Sequence, residues 1–145
     1  MKVLPNTAAY QPQSCSQGAW LEYRCYVEQE GEYDLTFFMA PILPVTSESH
    51  IWIGCQINDG QVVCEDTVEC PDELYFNKAQ HVGETINDVK QHTLQVWLHA
   101  GVNTVRFYHV SANVILERLV LVRKGVMLLE SYLGPKESPQ ILDVQ

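Results

Sequence analysis

Apolar and polar residues alternate every two positions along most of this chain, the pattern of strands with one buried face. In the run from Leu21 to Val27, Leu21, Tyr23, Cys25 and Val27 are expected to face inward and Glu22, Arg24 and Tyr26 outward. Gly31 punctuates the next strand, whose inward row is Tyr33, Leu35, Phe37 and Met39. Pro41 and Pro44 end it, because proline cannot donate to a ladder. After a loop rich in Thr, Ser and Glu, Ile51, Ile53, Cys55 and Ile57 alternate with Trp52, Gly54, Gln56 and Asn58. Asn58-Asp59-Gly60 then supplies residues that tolerate positive φ in a tight hairpin, with Gln61 to Cys64 as the return strand.

From Asp66 to Asn87 the alternation breaks down, which predicts a long excursion with a short helix in its latter part. His92, Leu94, Val96 and Leu98 alternate with Thr93, Gln95 and Trp97. Ala100-Gly101 turns the chain into Val102 to Val110, where Val105, Phe107 and His109 form the next inward row. Val114 to Val122 is apolar apart from Glu117-Arg118, as expected of a central strand covered on both faces or lying at a seam between sheets. Seven or eight short strands with closely spaced turns predict an all-β fold, an antiparallel β-sandwich of jelly-roll type.

The length of 145 residues fits a single domain, 1–145, and excludes a full (β/α)₈ barrel. Nine Lys and Arg against 18 Asp and Glu give a net charge of -9, which opposes binding to nucleic acid or an anionic membrane. The apolar stretches are too short for a spanning helix, and the first residues carry no signal-peptide core. The expected location is therefore the cytoplasm, or outside it as part of a longer exported protein. Five cysteines without CxxC or Cys/His spacing do not make a zinc site. Cys25 and Cys55 read as small core residues, and only Cys64 and Cys70, flanking an acidic loop, are candidates for pairing.

Gly-rich phosphate loops, HExxH and GxSxG are absent. Glu22, Glu32, Asp34 and Glu117 lie in alternating strands, where a solvated outward face accounts for them, so no residue is assigned as catalytic. The five histidines lack metal-ligand spacing, and the acidic residues between Asp59 and Glu73 lack an EF-hand pattern; no metal or cofactor is expected. The residues suited to a ligand are outward aromatics with polar neighbours: Trp52, Trp97 and Tyr108, with Asn103, Arg106 and Asn113 as candidate sugar-binding partners. Rings pack on sugar C–H groups while amides and guanidinium bind hydroxyls. Such rings, Tyr26 included, equally suit a second sheet or a partner interface.

The C-terminal third carries more specific marks. Leu98-His99-Ala100-Gly101-Val102-Asn103-Thr104-Val105-Arg106, Val114 to Leu121, and Ser131-Tyr132-Leu133-Gly134-Pro135-Lys136-Glu137-Ser138 resemble the closing segment of the C-terminal domain of glycoside hydrolase family 115. Lys136 stands where that family usually has a second proline. Upstream, Leu21-Glu22-Tyr23, Gly31-Glu32-Tyr33 and Ala40-Pro41-Ile42-Leu43 are similar to the family's motifs in the same order, so the likeness runs from about Lys2 to Ser138. The family's opening EAExY-like strand has no counterpart, since the chain begins after it.

This resemblance implies a galactose-binding-like, carbohydrate-binding-module-like sandwich. It also implies a parent enzyme that removes glucuronic or 4-O-methylglucuronic acid from xylan, with its catalytic residues on other domains. Related modules hold a structural calcium through an acid after the last core strand. Arg123 and Lys124 stand there instead, which argues against that metal. The expected function is thus a non-catalytic accessory domain serving domain packing or dimerisation and completion of the substrate cleft. Its expected partners are the catalytic domains of a parent glycosidase or a second copy of itself. The alternative is an autonomous carbohydrate-binding module for acidic xylan oligosaccharides. The Tyr132-Leu133 pair beside Gly134-Pro135 is expected to fold back on the sandwich.

Overall fold

A computed structural model describes residues 12–43, 50–68 and 79–127. Alternating β-branched and aromatic residues form strands wherever a second row of the same kind can cover them. Among the described residues there are seven: β1 (Trp20–Val27), β2 (Gly31–Met39), β3 (Trp52–Ile57), β4 (Val63–Asp66), β5 (Lys90–Leu98), β6 (Gly101–His109) and β7 (Leu116–Arg123). They build a four-stranded sheet, ordered β1-β6-β3-β4, and a three-stranded sheet, ordered β5-β2-β7. All neighbouring strands are antiparallel. The non-sequential neighbours mark a sandwich whose chain crosses repeatedly between sheets, in agreement with the predicted jelly-roll class.

The inward rows meet as the alternation predicts. Leu35, Phe37 and Met39 of β2 pack against Ile53, Cys55, Val105 and Phe107 of the facing sheet, with Ile51, Val68, Val114 and Leu116 closing the ends. Cys55 is a core residue and Cys25 packs on the core's margin. Tyr23, predicted to face inward, keeps 40% of its surface exposed, since β1 is an edge strand among the described residues. Two turns use the residues expected of them. Asn58 takes a φ of 51° between β3 and β4, and Gly101 a φ of 104° between β5 and β6, where a side chain would be strained.

Two boundaries need correction. The return strand is Val63–Asp66 rather than Gln61 to Cys64, because the turn extends through Val62 before pairing with β3 resumes. The strand predicted over Val114 to Val122 is β7, and it pairs only with β2 among the described strands. Among the described strands β2 lies at the centre of that sheet, and its outward row includes the polar Glu32, Asp34 and Thr36. The excursion expected to start at Asp66 starts after it, since Asp66 belongs to β4. Its predicted helix is α1 (Ala79–Asn87). Cys70, the acidic residues from Glu69 to Glu73, and the Ser131–Ser138 tail lie outside the described residues.

Helix α1 is attached by its polar side. Lys90 Nζ, wholly buried, donates to Glu84 Oε1 at 2.8 Å and to the Thr67 carbonyl at 2.9 Å. Gln80 Nε2 donates to the same two acceptors at 2.9 and 3.2 Å. Val82 and Ile86, at i and i+4, face solvent instead.

Candidate functional site

The outer face of the four-stranded sheet gathers polar and aromatic side chains on neighbouring strands. Pairing of β1 with β6 sets Trp20 opposite Tyr108, Glu22 opposite Arg106, Arg24 opposite Thr104 and Tyr26 opposite Val102. Pairing of β3 with β6 adds Gln56 beside Arg106 and Gly54 beside Tyr108. A period of two on three strands thus brings to one surface residues more than 80 positions apart.

Arg106 is the hub of this face. Its Nε donates to Glu22 Oε2 at 2.7 Å, its Nη1 to Gln56 Oε1 at 3.1 Å, and its guanidinium stacks 5.1 Å from the centre of the Trp20 ring. The hydrogen bond to Glu22 holds the guanidinium still more firmly in its charged form. Tyr108 Oη donates to Gln56 Oε1 at 2.9 Å, while Gln56 Nε2 donates to the Gly60 carbonyl at 2.8 Å. Arg24 Nε lies 3.7 Å from Glu22 Oε1. Trp20 at one end of β1 and the facing pair Tyr26 and Val102 at the other keep 50%, 68% and 70% of their surface exposed, with Glu22, Arg24 and Arg106 between them.

A second cluster occupies the end of the same face. Ser111 brackets Trp52, accepting its N–H at 2.8 Å on Oγ and donating its own N–H to the Trp52 carbonyl at 3.0 Å. The His50 ring stacks on Trp52 with centroids 5.4 Å apart, and its Nδ1 lies 2.6 Å from Asp66 Oδ2. Asp66 Oδ1 accepts the N–H groups of Ile51 and Val68 at 3.2 and 3.1 Å, which fixes the carboxylate. Asn113, two residues after Ser111, sits in a left-handed turn at φ 67°.

The six sequence-predicted residues therefore divide. Arg106 and Tyr108 share one network, though Tyr108 is buried beneath the chain that covers it. Trp52 is held at the sandwich's end by Ser111, and Asn113 follows that serine by two residues. Trp97, opposite Glu32 on β5, is exposed on the outer face of the other sheet. Asn103 points inward and is buried. Its Nδ2 donates to the His99 and Gly101 carbonyls at 2.7 and 3.2 Å, and its Oδ1 accepts from His99 N at 3.2 Å and Asn58 Nδ2 at 3.1 Å. Such an amide holds two turns together. Sequence reasoning passed over Trp20, Glu22, Arg24 and Gln56 as site members. Their two-residue spacing was a usable signal, but the pairing of β1 with β6 was not.

Between the edge strands β4 and β5 the sheets leave a groove of about 290 Å³ lined by Cys55, Ile57, Val63, Glu65, Leu94 and Trp97. Of these, Glu65 has its Oε2 3.7 Å from His92 Nε2 on β5. Burial lowers the His92 pKa more than the Glu65 carboxylate raises it, so the imidazole favours its neutral form. Burial, aided by Glu65, pushes the Cys55 thiol up to about 12, which removes it as a nucleophile at neutral pH. Among the described residues no three His, Cys, Asp or Glu side chains converge as a metal site.

His109 is also buried and its pKa lowered by desolvation. Both histidines bind protons more weakly in the folded chain than at their ordinary value of 6.5. The unfolded chain therefore holds more protons between the folded pKa and 6.5, and stability falls as pH drops through that window. Urea unfolding between pH 7.5 and pH 5, values of about that order, is expected to show this loss, and His92→Gln to flatten it. An unchanged slope in the variant would show that His92 does not contribute.

Two antiparallel sheets with this crossing order define a β-sandwich of the carbohydrate-binding-module kind. The chain matches the model of the glycosyl hydrolase family 115 C-terminal domain over residues 1–137 and belongs to that family. It is an accessory, carbohydrate-related β-sandwich domain. A family GH115 4-O-methyl-alpha-glucuronidase with specificity for decorated arabinogalactans is similar in fold over 72% of this chain, with a TM-score of 0.60 and 8% identity. The match spans only 13% of that enzyme's length. A family 35 carbohydrate binding module from Clostridium thermocellum is similar over 72% of this chain and 70% of its own, with a TM-score of 0.51 and 18% identity. Another family 35 module, from an environmental isolate, covers 74% of this chain and 68% of its own, with a TM-score of 0.50 and 13% identity. The comparison with curated proteins gave no match.

Proposed function

We propose that this domain acts by packing, through the outer face of its four-stranded sheet, against the catalytic domains of a parent α-glucuronidase or against a second copy of itself. In doing so it helps complete the cleft for glucuronoxylan. The observation that carries this reading is that one face holds exposed Trp20, Tyr26 and Val102 at its two ends with Arg24 and Arg106 between them. Trp, Tyr and Arg are the residues on which interface energy concentrates, and a preformed network needs little ordering on contact. Sedimentation equilibrium of the chain, alone and with the catalytic region of a family 115 enzyme, tests it. Tyr26→Glu is expected to weaken association by about 30-fold, the effect of losing a hot-spot residue. Association that is indifferent to Tyr26→Glu and Trp20→Ala would remove this face from the function.

The corner where His50 stacks on Trp52, held by Ser111, favours a second reading, an autonomous module that binds an acidic xylan oligosaccharide. Calorimetric titration with a glucuronic-acid-bearing xylooligosaccharide, against the undecorated one, distinguishes the two. Saturable binding that needs the uronate and is lost in Trp52→Ala supports the module. Absence of binding at millimolar ligand leaves packing as the function.

A further inference from the structure

The 3-10 segment Pro12–Gln17 lies against the outer face of β3 and β4, and it brings a buried cysteine to the place of a missing side chain. Gly54 has no side chain, and a Cβ placed there would stand 2.9 Å from the Tyr108 Cβ and 3.6 Å from the Cys15 Cβ. Cys15 therefore fills the slot over Gly54. Directly across the ladder Gly54 pairs with Cys64, whose side chain points to the same face. Cross-strand Cβ positions on one face are about 4.5–5.5 Å apart, and a disulfide needs Cβ atoms about 3.5–4.5 Å apart. Cys15 and Cys64 are thus both neighbours of Gly54 on the same face of the sheet. Both are free thiols, and the Cys15 side chain is near enough to help raise the Cys64 pKa. Cys64 is half-exposed on the sheet's edge strand, so a soluble reagent can reach it.

We infer that Cys15 and Cys64 form a disulfide-forming dithiol site that clamps the segment before β1 onto edge strand β4. The oxidant is a low-molecular-weight disulfide of the glutathione type. The Cys64 thiolate attacks one sulfur of that disulfide, giving a mixed disulfide and releasing one thiol. The Cys15 thiolate then attacks the Cys64 sulfur, forming the internal bond and releasing the second thiol. The two cysteine protons pass to solvent and then to the two departing thiolates, and two cysteines are oxidised as one small disulfide is reduced. Closing a loop of about 50 residues constrains the unfolded chain far more than the native one, in which the two side chains are already neighbours.

Burial, with the Cys15 side chain beside it, pushes the Cys64 thiol up to about 12, so exchange is slow at neutral pH and is best driven near pH 9, a value of about that size. The experiment incubates the full chain with oxidised glutathione, followed by proteolysis under non-reducing conditions, mass spectrometry and thermal unfolding. The expected product is the Cys15 peptide joined to the Cys64 peptide, lighter by two hydrogens. The melting temperature should rise by about 5–15 °C and return on reduction. Cys15→Ser and Cys64→Ser should each abolish the shift. Three outcomes overturn the proposal: a chain that keeps all five thiols, glutathione left on Cys64 without resolution, and Cys64 joined to Cys70 instead. Peptide mapping of the unsubstituted chain decides among these even if a serine variant fails to fold.

Discussion

Lys90→Met is expected to lower the free energy of unfolding by about 3–5 kcal/mol, the cost of removing one partner from a buried ion pair. Lys90 is fully buried, and its ammonium group satisfies both the Glu84 carboxylate and the Thr67 carbonyl. Methionine matches the length of the stem and leaves no large hole, so the loss measures the charge rather than the packing. In the variant, Glu84, itself only 8% exposed, stays buried without the Lys90 charge. Because the pair holds α1 to the start of β5, the helix is expected to fray first. Its amide protons should exchange faster than those of β2 and β6. Lys90→Met combined with Glu84→Leu should recover much of the loss, since an apolar replacement of both partners removes the stranded charge. Urea unfolding of the two variants checks this. A single variant within about 1 kcal/mol of the parent would mean that α1 is held by something other than this pair.

This pair also marks the boundary of what the sequence discloses. Alternation located β1, β2, β3, β5 and β6 and put Leu35, Phe37, Ile53, Val105 and Phe107 on the inward rows, because a two-residue period is a local property of a strand with one wet face. The turn residues Asn58 and Gly101 were legible for the same reason. Helix α1 was legible only as a break in that pattern. Its buried contacts are Gln80 and Glu84 while Val82 and Ile86 face outward, which inverts the usual rule and depends on a lysine that only the β5 register brings within reach. The apolar run of β7 reports burial, not neighbours: among the described strands it pairs with β2, which lies between it and β5. The outer-face network failed for a related reason. Glu22 looks like one more solvated acid until the β1–β6 register sets it beside Arg106, 84 positions away. Membership of the family was carried by short motifs with no general physical basis, a different kind of information from periodicity.

Phe37→Ala is expected to cost about 3–5 kcal/mol, at the upper end of what a single core truncation does. Phe37 on β2 is completely buried, and Phe107 on β6 is 1% exposed. Their rings meet across the two sheets with centroids 5.5 Å apart and planes inclined by 46°. The pair is a principal contact between the layers, so the cavity cannot be closed by sliding one strand within its own sheet. Phe37→Leu should cost less, because it keeps most of the apolar volume. Comparison with Phe107→Leu and the double variant should return a coupling of about 0.5–1.5 kcal/mol for the ring pair. Phe107 lies between Arg106 and Tyr108, so a cavity beneath it also loosens the strand that carries the outer-face network. Amide exchange along β6 in Phe37→Ala is therefore expected to quicken more than along β7. If β6 stays as protected as in the parent, core and outer face are mechanically separate, and the surface owes its order to the Arg106–Glu22–Gln56 contacts alone.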